Sequence, residues 1–270
     1  MRLEKYIFEG YIEYGANRSK VVDENFAYDF IKKYCKKAGK GTPIFRGYPK
    51  YDEDIYFIDP TIGENRVSPY ASYNYYNLLM SNLPSWSKYP KRNKSIIGTT
   101  DYSDAEGRNQ GNPYLVIPKD GTDVGVCSDR DIWDSFPRIT DNMGNFNDVL
   151  HELLSSAKIN RADNPDRDYK SFVKICNRVD RVREDDDIDL DNISYVANNT
   201  GDFDWVINYN ESSEKLIDFL NDLLSPHNND FSLVKIGSKL PDNNEVWLSA
   251  PSLLVRVGTS LANSLGYEYG

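Results

Sequence analysis

Three polar signals follow one another along this sequence, each at the edge of an apolar segment that is typical of a β-strand. In order, they are Arg46 with Gly47, the hydroxyl residues Ser95, Thr99 and Thr100, and Glu245. A guanidinium pairs with a pyrophosphate in a fork geometry, and threonine hydroxyls can orient a ribose and a nearby carboxylate. A carboxylate beside a sugar carbon stabilises the positive charge that develops there. The order of these residues therefore predicts a site that binds a dinucleotide and supports a developing positive charge.

Each of these signals also has a simpler interpretation. An arginine that ends a strand is most often a surface residue or a salt-bridge partner. The stretch Gly98-Thr99-Thr100-Asp101 suits a strand end or a helix cap, and a glutamate at the start of a strand is usually solvated. The prediction therefore rests on the combination and its order, not on any single residue.

Composition limits the classes of protein to which the chain can belong. It has 270 residues, of which 39% are hydrophobic, enough to bury a core in one large domain or two small ones. Its formal net charge is −10, and an acidic surface is repelled by phosphate backbones. Broad nucleic-acid binding is therefore disfavoured, although a local basic groove is compatible with this charge.

Cysteine and histidine are too few and too scattered for the sites that they usually build. Cys35, Cys127 and Cys176 form no CxxC pair, which argues against a disulfide framework or a zinc site. His151 and His227 alone argue against a Ser-His-Asp triad or a histidine-bound metal. We therefore expect no metal.

No apolar run approaches membrane-spanning length, and residues 1–4 do not open a signal peptide, so we expect a cytoplasmic protein.

The chain has strand-like segments at both ends and a helical block between them. A helix capped by Asp23 is predicted from apolar residues at helical spacing, and further helices are predicted at Tyr70–Leu83, Phe146–Ile159, Tyr169–Val182 and Ser213–Leu224. The predicted strands are Ile44–Arg46, Ile55–Ile58, Ser95–Thr99, Tyr114–Pro118, Asp123–Cys127, Phe231–Ile236, Val246–Leu248 and Leu253–Val257. Lys119–Thr122 has the Asp-Gly chemistry of a hairpin turn. Strands without regular βαβ alternation predict the α+β class.

These stretches resemble the Arg-Ser-Glu class of ADP-ribosyltransferases, whose fold is shared by bacterial toxins and phage-encoded enzymes. That class has an arginine on its first core strand, a Ser-Thr-Ser-type strand, a hairpin, and a glutamate at the head of a later strand. The matching stretches are Arg46, Gly98-Thr99-Thr100, Val116-Ile117-Pro118 through Gly125-Val126, and Glu245-Val246-Trp247-Leu248-Ser249-Ala250-Pro251. The resemblance covers these four stretches and leaves out the helical block.

The resemblance implies an α+β, ADP-ribosyltransferase-like mixed β-core in a single domain over residues 1–270, with residues 145–224 as a helical insertion. It implies an enzyme that cleaves the nicotinamide–ribose bond of NAD, its co-substrate. Such an enzyme transfers ADP-ribose to a macromolecular acceptor, which is a protein or a nucleic acid. For a phage-encoded member, the compartment would be the cytoplasm of the host cell.

The resemblance also implies roles for individual residues. Glu245 is the catalytic residue, which holds the ribose and opposes the positive charge as nicotinamide leaves. The residues implied to bind NAD are Arg46, Gly47, Ser95, Thr99 and Thr100, together with an aromatic ring stacked on nicotinamide, for which Tyr73 and Tyr76 are candidates beside Tyr70 and Trp86. The chain departs from the class at Gly98, where a first hydroxyl is expected unless Ser95 replaces it. It departs again at Asn243, where many members carry Glu or Gln.

Two alternatives of other classes remain open on the sequence. The chain could be a non-catalytic structural or interaction protein of a virus or mobile element. It could also be directed to nucleic acid, since basic and aromatic side chains alternate in the stretch Trp86, Lys88, Tyr89, Lys91, Arg92 and Lys94. Hydrolysis of NAD, and a cleft that contains Arg46, Thr99 and Glu245, would separate the transferase from both alternatives.

Overall fold

The computed structural model describes residues 12–14, 17–48, 52–68, 72–107, 112–139, 143–159, 164–198 and 203–267. The chain divides into two compact units, each made of segments that are distant in sequence. The first unit comprises Met1–Arg66, Tyr89–Arg130 and Ser232–Gly270, and the second comprises Val67–Lys88 and Asp131–Phe231. The helical insertion predicted at residues 145–224 lies entirely within the second unit.

The first unit is built on one sheet, which has ten strands in the described part of the chain. They are β1 (Ile12–Tyr14), β2 (Asn17–Val21), β3 (Phe45–Tyr48), β4 (Ile55–Asp59), β5 (Ile96–Thr99), β6 (Asn112–Pro118), β7 (Asp123–Val126), β8 (Ser232–Lys235), β9 (Glu245–Leu248) and β10 (Ser252–Arg256). Their order across the sheet is β1-β2-β4-β10-β6-β3-β5-β9-β7-β8. Together with the helices below, this sheet confirms the α+β prediction.

All neighbouring strands whose pairing is described run antiparallel. The mixed sheet implied by the resemblance is therefore wrong. The relative direction of two strands depends on their positions in the sheet. Most neighbours, such as β6 and β10, are not consecutive in the sequence, and here they all run in opposite directions.

Side chains along the central strands alternate between two apolar clusters, one on each face of the sheet. Tyr114 and Val116 of β6 belong to one cluster, and Leu115 and Ile117 belong to the other. Helix α1 (Glu24–Tyr34) covers the second cluster, where the Phe30 ring lies 5.5 Å from that of Phe57. Burial on both faces leaves the strand ends as the places where polar groups can meet a ligand.

Helix α1 begins where the sequence predicts. The Asp23 side chain accepts a hydrogen bond from the Phe26 amide at 2.8 Å, which satisfies one of the unpaired donors of the first turn. The helix ends at Tyr34, before Gly39 and Gly41, whose positive φ values of 77° and 74° suit glycine.

The predicted hairpin between β6 and β7 is wrong, because three strands separate them in the sheet. The turn that joins them is present, and Gly121 occupies it with φ of 80°. The five residue steps from Pro118 to Asp123 reach at most about 18 Å, whereas a flat sheet would place β6 and β7 about 19 Å apart. The sheet must therefore curl, and Val116 of β6 and Val124 of β7 share the cluster on its inner face.

The second unit is helical. It contains α2 (Tyr75–Asn82), α4 (Met143–Ser155), α5 (Tyr169–Glu184), α6 (Leu190–Asn198), α7 (Asp204–Glu211) and α8 (Leu216–Leu223), whereas the short helices α3 (Tyr102–Gly107) and α9 (Ser260–Ser264) belong to the first unit. Helices α2, α4, α5 and α8 confirm sequence predictions to within a few residues, and α6 and α7 were not predicted. Within the described ranges, no helix is both long and apolar enough to cross a membrane.

Candidate functional site

The three predicted site signals lie on adjacent strands of the first unit. Strand β5 lies between β3 and β9 in the sheet. In its register, Thr99 is opposite Phe45 on one side and opposite Glu245 on the other. Residues directly opposite in an antiparallel pair project to the same face with Cβ atoms about 5 Å apart. Thr99 is therefore the hydroxyl residue that stands beside Glu245.

One small cleft contains four of the eight predicted site residues. It is lined by Arg46, Gly47, Thr99 and Glu245, and also by Phe45, Ile97, Gly98, Asp104, Ala105 and Arg130. Its volume is about 60 Å³, which corresponds to roughly two water molecules in the liquid. Pockets that bind small molecules start at roughly 300 Å³, so the cleft as described encloses only part of a dinucleotide.

Arg46 is held against the neighbouring strand. Its Nη1 donates a hydrogen bond to the Ile97 carbonyl oxygen at 3.0 Å, and its Cζ lies 5.5 Å from the centre of the Tyr48 ring. The side chain remains half-exposed. By register, the Arg46 side chain leaves β3 on the face opposite to Thr99 and Glu245, because Phe45 is the residue paired with Thr99. Its guanidinium reaches the Ile97 carbonyl oxygen on β5 and keeps further donors for an anion.

Gly98 departs from the resemblance for a steric reason. A Cβ atom at this position would lie 2.8 Å from the Phe45 carbonyl oxygen and 2.8 Å from Cγ2 of Ile44. Because one of these atoms belongs to the backbone, the contact cannot be relieved by a side-chain rotation. A hydroxyl residue does not fit here, and the first hydroxyl of the site is that of Thr99.

Thr100 and Ser95, both predicted to bind NAD, are buried and hold loops. The Thr100 hydroxyl donates to the Pro241 carbonyl oxygen at 2.8 Å and accepts from the Asn244 amide at 3.0 Å, which fixes the turn before β9. The exposed Asn243 lies in that turn with φ of 63°. Ser95 precedes β5, at the other end of the strand from Thr99, and its hydroxyl donates to the Lys91 carbonyl oxygen at 2.8 Å.

Glu245 forms an ion pair that sequence reasoning did not predict. Its Oε1 accepts a hydrogen bond from Nη2 of Arg92 and lies 3.8 Å from Sγ of Cys127. The Arg92 side chain is 2% exposed and that of Glu245 is 14% exposed. Oε2 of Glu245 accepts no hydrogen bond from the residues that the structure describes. One carboxylate oxygen is thus bound to protein, and the other is available to a ligand.

The interpretation of Arg92 as part of a nucleic-acid surface is wrong, because a buried guanidinium cannot reach a phosphate backbone. The run Pro90-Lys91-Arg92-Asn93-Lys94 does not distinguish Arg92 from the lysines around it. Nothing in the sequence indicates that its partner, Glu245, is 153 residues away.

The indole ring of Trp247 packs against the guanidinium of Arg92. The Arg92 Cζ lies 5.4 Å from the centre of the indole ring, and the indole Nε1 donates to the Pro90 carbonyl oxygen at 2.9 Å. Gly125 is opposite Trp247 in the register of β7 and β9. A Cβ at Gly125 would lie 2.3 Å from the ring. Only glycine therefore fits opposite Trp247, whose ring packs against Arg92.

A second ion pair lies at the cleft. Nε and Nη2 of Arg130 donate to the two carboxylate oxygens of Asp104, the first at 3.0 Å. Asp104 is 5% exposed, whereas the Arg130 side chain is 58% exposed. The Arg130 carbonyl oxygen also accepts from the Glu245 amide at 3.1 Å. Neither residue was predicted, because a pair between a loop and a short helix leaves no periodic signal in the sequence.

The aromatic residues proposed to stack on nicotinamide lie in the second unit. The Tyr73 ring stacks on His151 with centres 3.7 Å apart, and Tyr76 is 2% exposed with its ring 5.5 Å from that of Trp133. Trp86 is also buried, and Tyr70 lies outside the described residues. These contacts account for the burial of the three described rings within their own unit, and a role in NAD binding stays a prediction.

His151 forms a hydrogen-bonded pair with Tyr75 in this aromatic cluster. Its Nδ1 shares a hydrogen bond of 2.8 Å with the Tyr75 hydroxyl. Burial lowers the pKa of His151, and the charge of Asp166 acts in the opposite direction. Burial also raises the pKa of Tyr75. Both groups are therefore neutral near pH 7, as a hydrogen-bonded pair in an apolar setting requires.

Across the part of the chain that the structure describes, no three or more His, Cys, Asp or Glu side chains are arranged to hold a metal ion. The site as described consists of the Arg92–Glu245 and Arg130–Asp104 pairs, the Thr99 hydroxyl and Arg46. Comparison with known proteins adds no further assignment, since the chain matches no family model, no curated protein and no solved structure.

Proposed function

We propose that this protein is an NAD-dependent ADP-ribosyltransferase that cleaves the nicotinamide–ribose bond and transfers ADP-ribose to a macromolecular acceptor. One observation carries the proposal. Arg46, Thr99 and Glu245 come from three adjacent strands and line one cleft. The sequence resemblance requires this grouping, although the residues are separated by up to 199 positions in the chain.

In the proposed reaction, Arg46 binds the pyrophosphate of NAD through its remaining donors. The bond between ribose C1′ and the nicotinamide nitrogen breaks, and its electron pair stays with the nitrogen. Nicotinamide, which is cationic in NAD, leaves as a neutral molecule while positive charge passes to the ribose ring. A nucleophile of the acceptor then bonds to C1′ and loses its proton to water.

Glu245 opposes the charge that grows on the ribose. That charge is small in bound NAD and large at the transition state, so the interaction accelerates the reaction instead of only tightening substrate binding. We propose that Thr99, directly across from Glu245, donates to a ribose hydroxyl; its Oγ1 accepts from the Asp101 amide at 3.1 Å, which leaves its own proton for the ligand. Oε2 of Glu245 is the atom proposed to face the sugar.

The narrow cleft sets a condition on this function. About 60 Å³ encloses only part of a dinucleotide, so the rest of NAD must lie outside the cleft as described. Arg130 is a wall residue whose side chain is 58% exposed. Its guanidinium could exchange the Asp104 carboxylate for a phosphate, since both anions accept the same fork of donors.

The experiment that tests the function is incubation of the purified protein with NAD labelled in its adenosine part and a cell lysate. Label that survives precipitation shows transfer, and treatment of separate portions with protease and nuclease identifies the acceptor class. Glu53→Gln serves as a matched control for Glu245→Gln, because Glu53 is an exposed carboxylate of the same unit. Transfer by the control and loss of transfer in Glu245→Gln is the expected result.

The second candidate function is a non-catalytic interaction module. The observation that favours it is the state of Glu245, whose carboxylate is held by a buried arginine beside a cleft of only about 60 Å³. An ion pair of this kind also serves to hold two loops together without any chemistry. Absence of both NAD binding and NAD hydrolysis in the folded protein would select this alternative.

A further inference from the structure

The position of Arg92 points to a second role at the proposed site. A guanidinium that is 2% exposed has lost its hydration and must be paired inside the protein. Here the partner is Oε1 of Glu245, the residue proposed to act on the ribose. The buried arginine is thus paired with the one carboxylate to which we assign a role in the reaction, which suggests that the pair serves that role as well as stability.

The segment that carries Arg92 is fixed at several points. The Lys91 carbonyl oxygen accepts from the hydroxyls of Ser95 and Ser249, at 2.8 Å and 3.2 Å. The Pro90 carbonyl oxygen accepts from Trp247 at 2.9 Å. Because the backbone just before Arg92 is held by Ser95, by Trp247 of β9 and by Ser249 after β9, the guanidinium has little freedom to move away from Glu245.

The two oxygens of Glu245 therefore have different surroundings. Oε1 is bound by Arg92 and approached by Cys127, whereas Oε2 accepts nothing from the described residues. Fixing one oxygen of a carboxylate by a charged donor fixes the direction of the other. Glu245 also lines the cleft next to Thr99.

We propose that Arg92 is a positioning residue, which holds Oε1 of Glu245 so that Oε2 is presented to the ribose of the substrate. This inference rests on the proposed transferase function and adds to it a residue that touches neither substrate nor reacting atoms. The arrangement avoids the rotamer entropy that a mobile glutamate would lose at the transition state.

The first test measures the pair without reference to activity. Thermal melts are compared for the wild type, Arg92→Met, Glu245→Gln and the double variant. Each single change leaves one buried charge without its partner and should lower the melting temperature by roughly 10 °C. The double variant removes both charges, so its loss should be clearly smaller than the sum of the two single losses. Losses that simply add would overturn the proposal.

The second test measures positioning. Arg92→Lys keeps the charge but not the length and planar fork of the guanidinium. At a temperature where the variant is folded, kcat for NAD cleavage should fall by roughly 10–100-fold, with KM for NAD within about twofold of wild type. Ser249→Ala is the matched control, since it loosens the same loop and leaves the Arg92–Glu245 pair in place. It should lower the melting temperature and keep kcat.

Wild-type kcat in folded Arg92→Lys would contradict the positioning role while the transferase function stands. An equal loss of kcat in Ser249→Ala would contradict it as well, because loop stability would then explain the effect. A wild-type protein that neither binds nor cleaves NAD would instead refute the transferase function, and the positioning role with it. The two failures are thus distinguishable.

Discussion

Thr99 lies directly across from Glu245 in the register of β5 and β9. This relationship identifies which of the adjacent hydroxyl residues serves the cleft, because side chains alternate between the two faces of a strand. Thr100, the next residue, is turned toward the loop before β9 and bonds to Pro241 and Asn244. Two threonines that look equivalent in the sequence therefore have different expected roles.

Replacement of Thr99 by valine should lower kcat/KM for NAD by roughly 10–100-fold, because a hydroxyl that bonds to a charged or developing-charge group contributes about 1.5–3 kcal/mol. Valine has nearly the same shape and lacks the hydroxyl. Thr99→Ser keeps the hydroxyl and should keep most of the activity. Equal activity of the valine and serine variants would remove Thr99 from the site.

Replacement of Arg46 by alanine should weaken NAD binding by roughly 2–3 kcal/mol, since charge-assisted hydrogen bonds to phosphate exceed neutral ones. Folding should change little, because the side chain is half-exposed and makes one hydrogen bond to Ile97. Calorimetric titration with NAD measures the effect. If Arg46→Ala bound NAD as tightly as the wild type, Arg46 would not contact the pyrophosphate.

Replacement of Gly98 by serine should destabilise the first unit by roughly 1–3 kcal/mol, because the new Cβ would press on the Phe45 carbonyl oxygen. The serine would supply the hydroxyl that the resemblance expects, yet it should not improve turnover. Gly107→Ser is the control, since no atom lies within 4 Å of a Cβ built there. Denaturation in urea compares the two, and a fully stable Gly98→Ser protein would show that the strand tolerates the side chain.

The stability of the second unit should fall on acidification. Burial holds the pKa of His151 below the ordinary histidine value of 6.5, so around and below that pH the unfolded chain binds more protons than the folded one. The free energy of unfolding therefore rises with pH between the lower pKa of folded His151 and the pKa of the unfolded chain. It falls again when the pH is lowered through the same range. Melting curves at pH 7.5 and 5.5 should show the drop, and His151→Gln should reduce it.

His227 supplies the comparison for that experiment, because its side chain is exposed. His227→Gln should keep the acid sensitivity of the wild type. If the two glutamine variants showed the same dependence on pH, the buried hydrogen bond between His151 and Tyr75 would not be its source.

Local signals in the sequence predicted local structure well. Asp23 and the apolar spacing after it predicted α1, because a cap and a helical period depend on residues within a few positions. The strands around Arg46, Thr99 and Glu245 were predicted for the same reason, and so was their grouping, which rested on the resemblance. Four residues that were named from the sequence, Arg46, Gly47, Thr99 and Glu245, line one cavity in the structure.

The remaining features depend on contacts between distant segments, which no local pattern encodes. The Asp-Gly turn after Pro118 predicted a hairpin, but β6 finds its neighbours in β3 and β10 instead. Arg92 and Glu245 are 153 positions apart, and Arg130 pairs with Asp104 across 26. The sequence singled out Glu245 but did not indicate Arg92 as its partner, and it indicated neither member of the Arg130–Asp104 pair.

The most direct test of the central claim is the rate of NAD cleavage by Glu245→Gln, measured beside its melting curve. The substitution keeps the shape of the side chain and removes the charge that opposes the growing charge on the ribose. Because it also leaves Arg92 without its ionic partner, the rate must be measured well below the melting temperature of the variant. We expect NAD affinity close to that of wild type and turnover lower by roughly 10²–10³-fold. Wild-type turnover in folded Glu245→Gln would contradict the proposed role of Glu245.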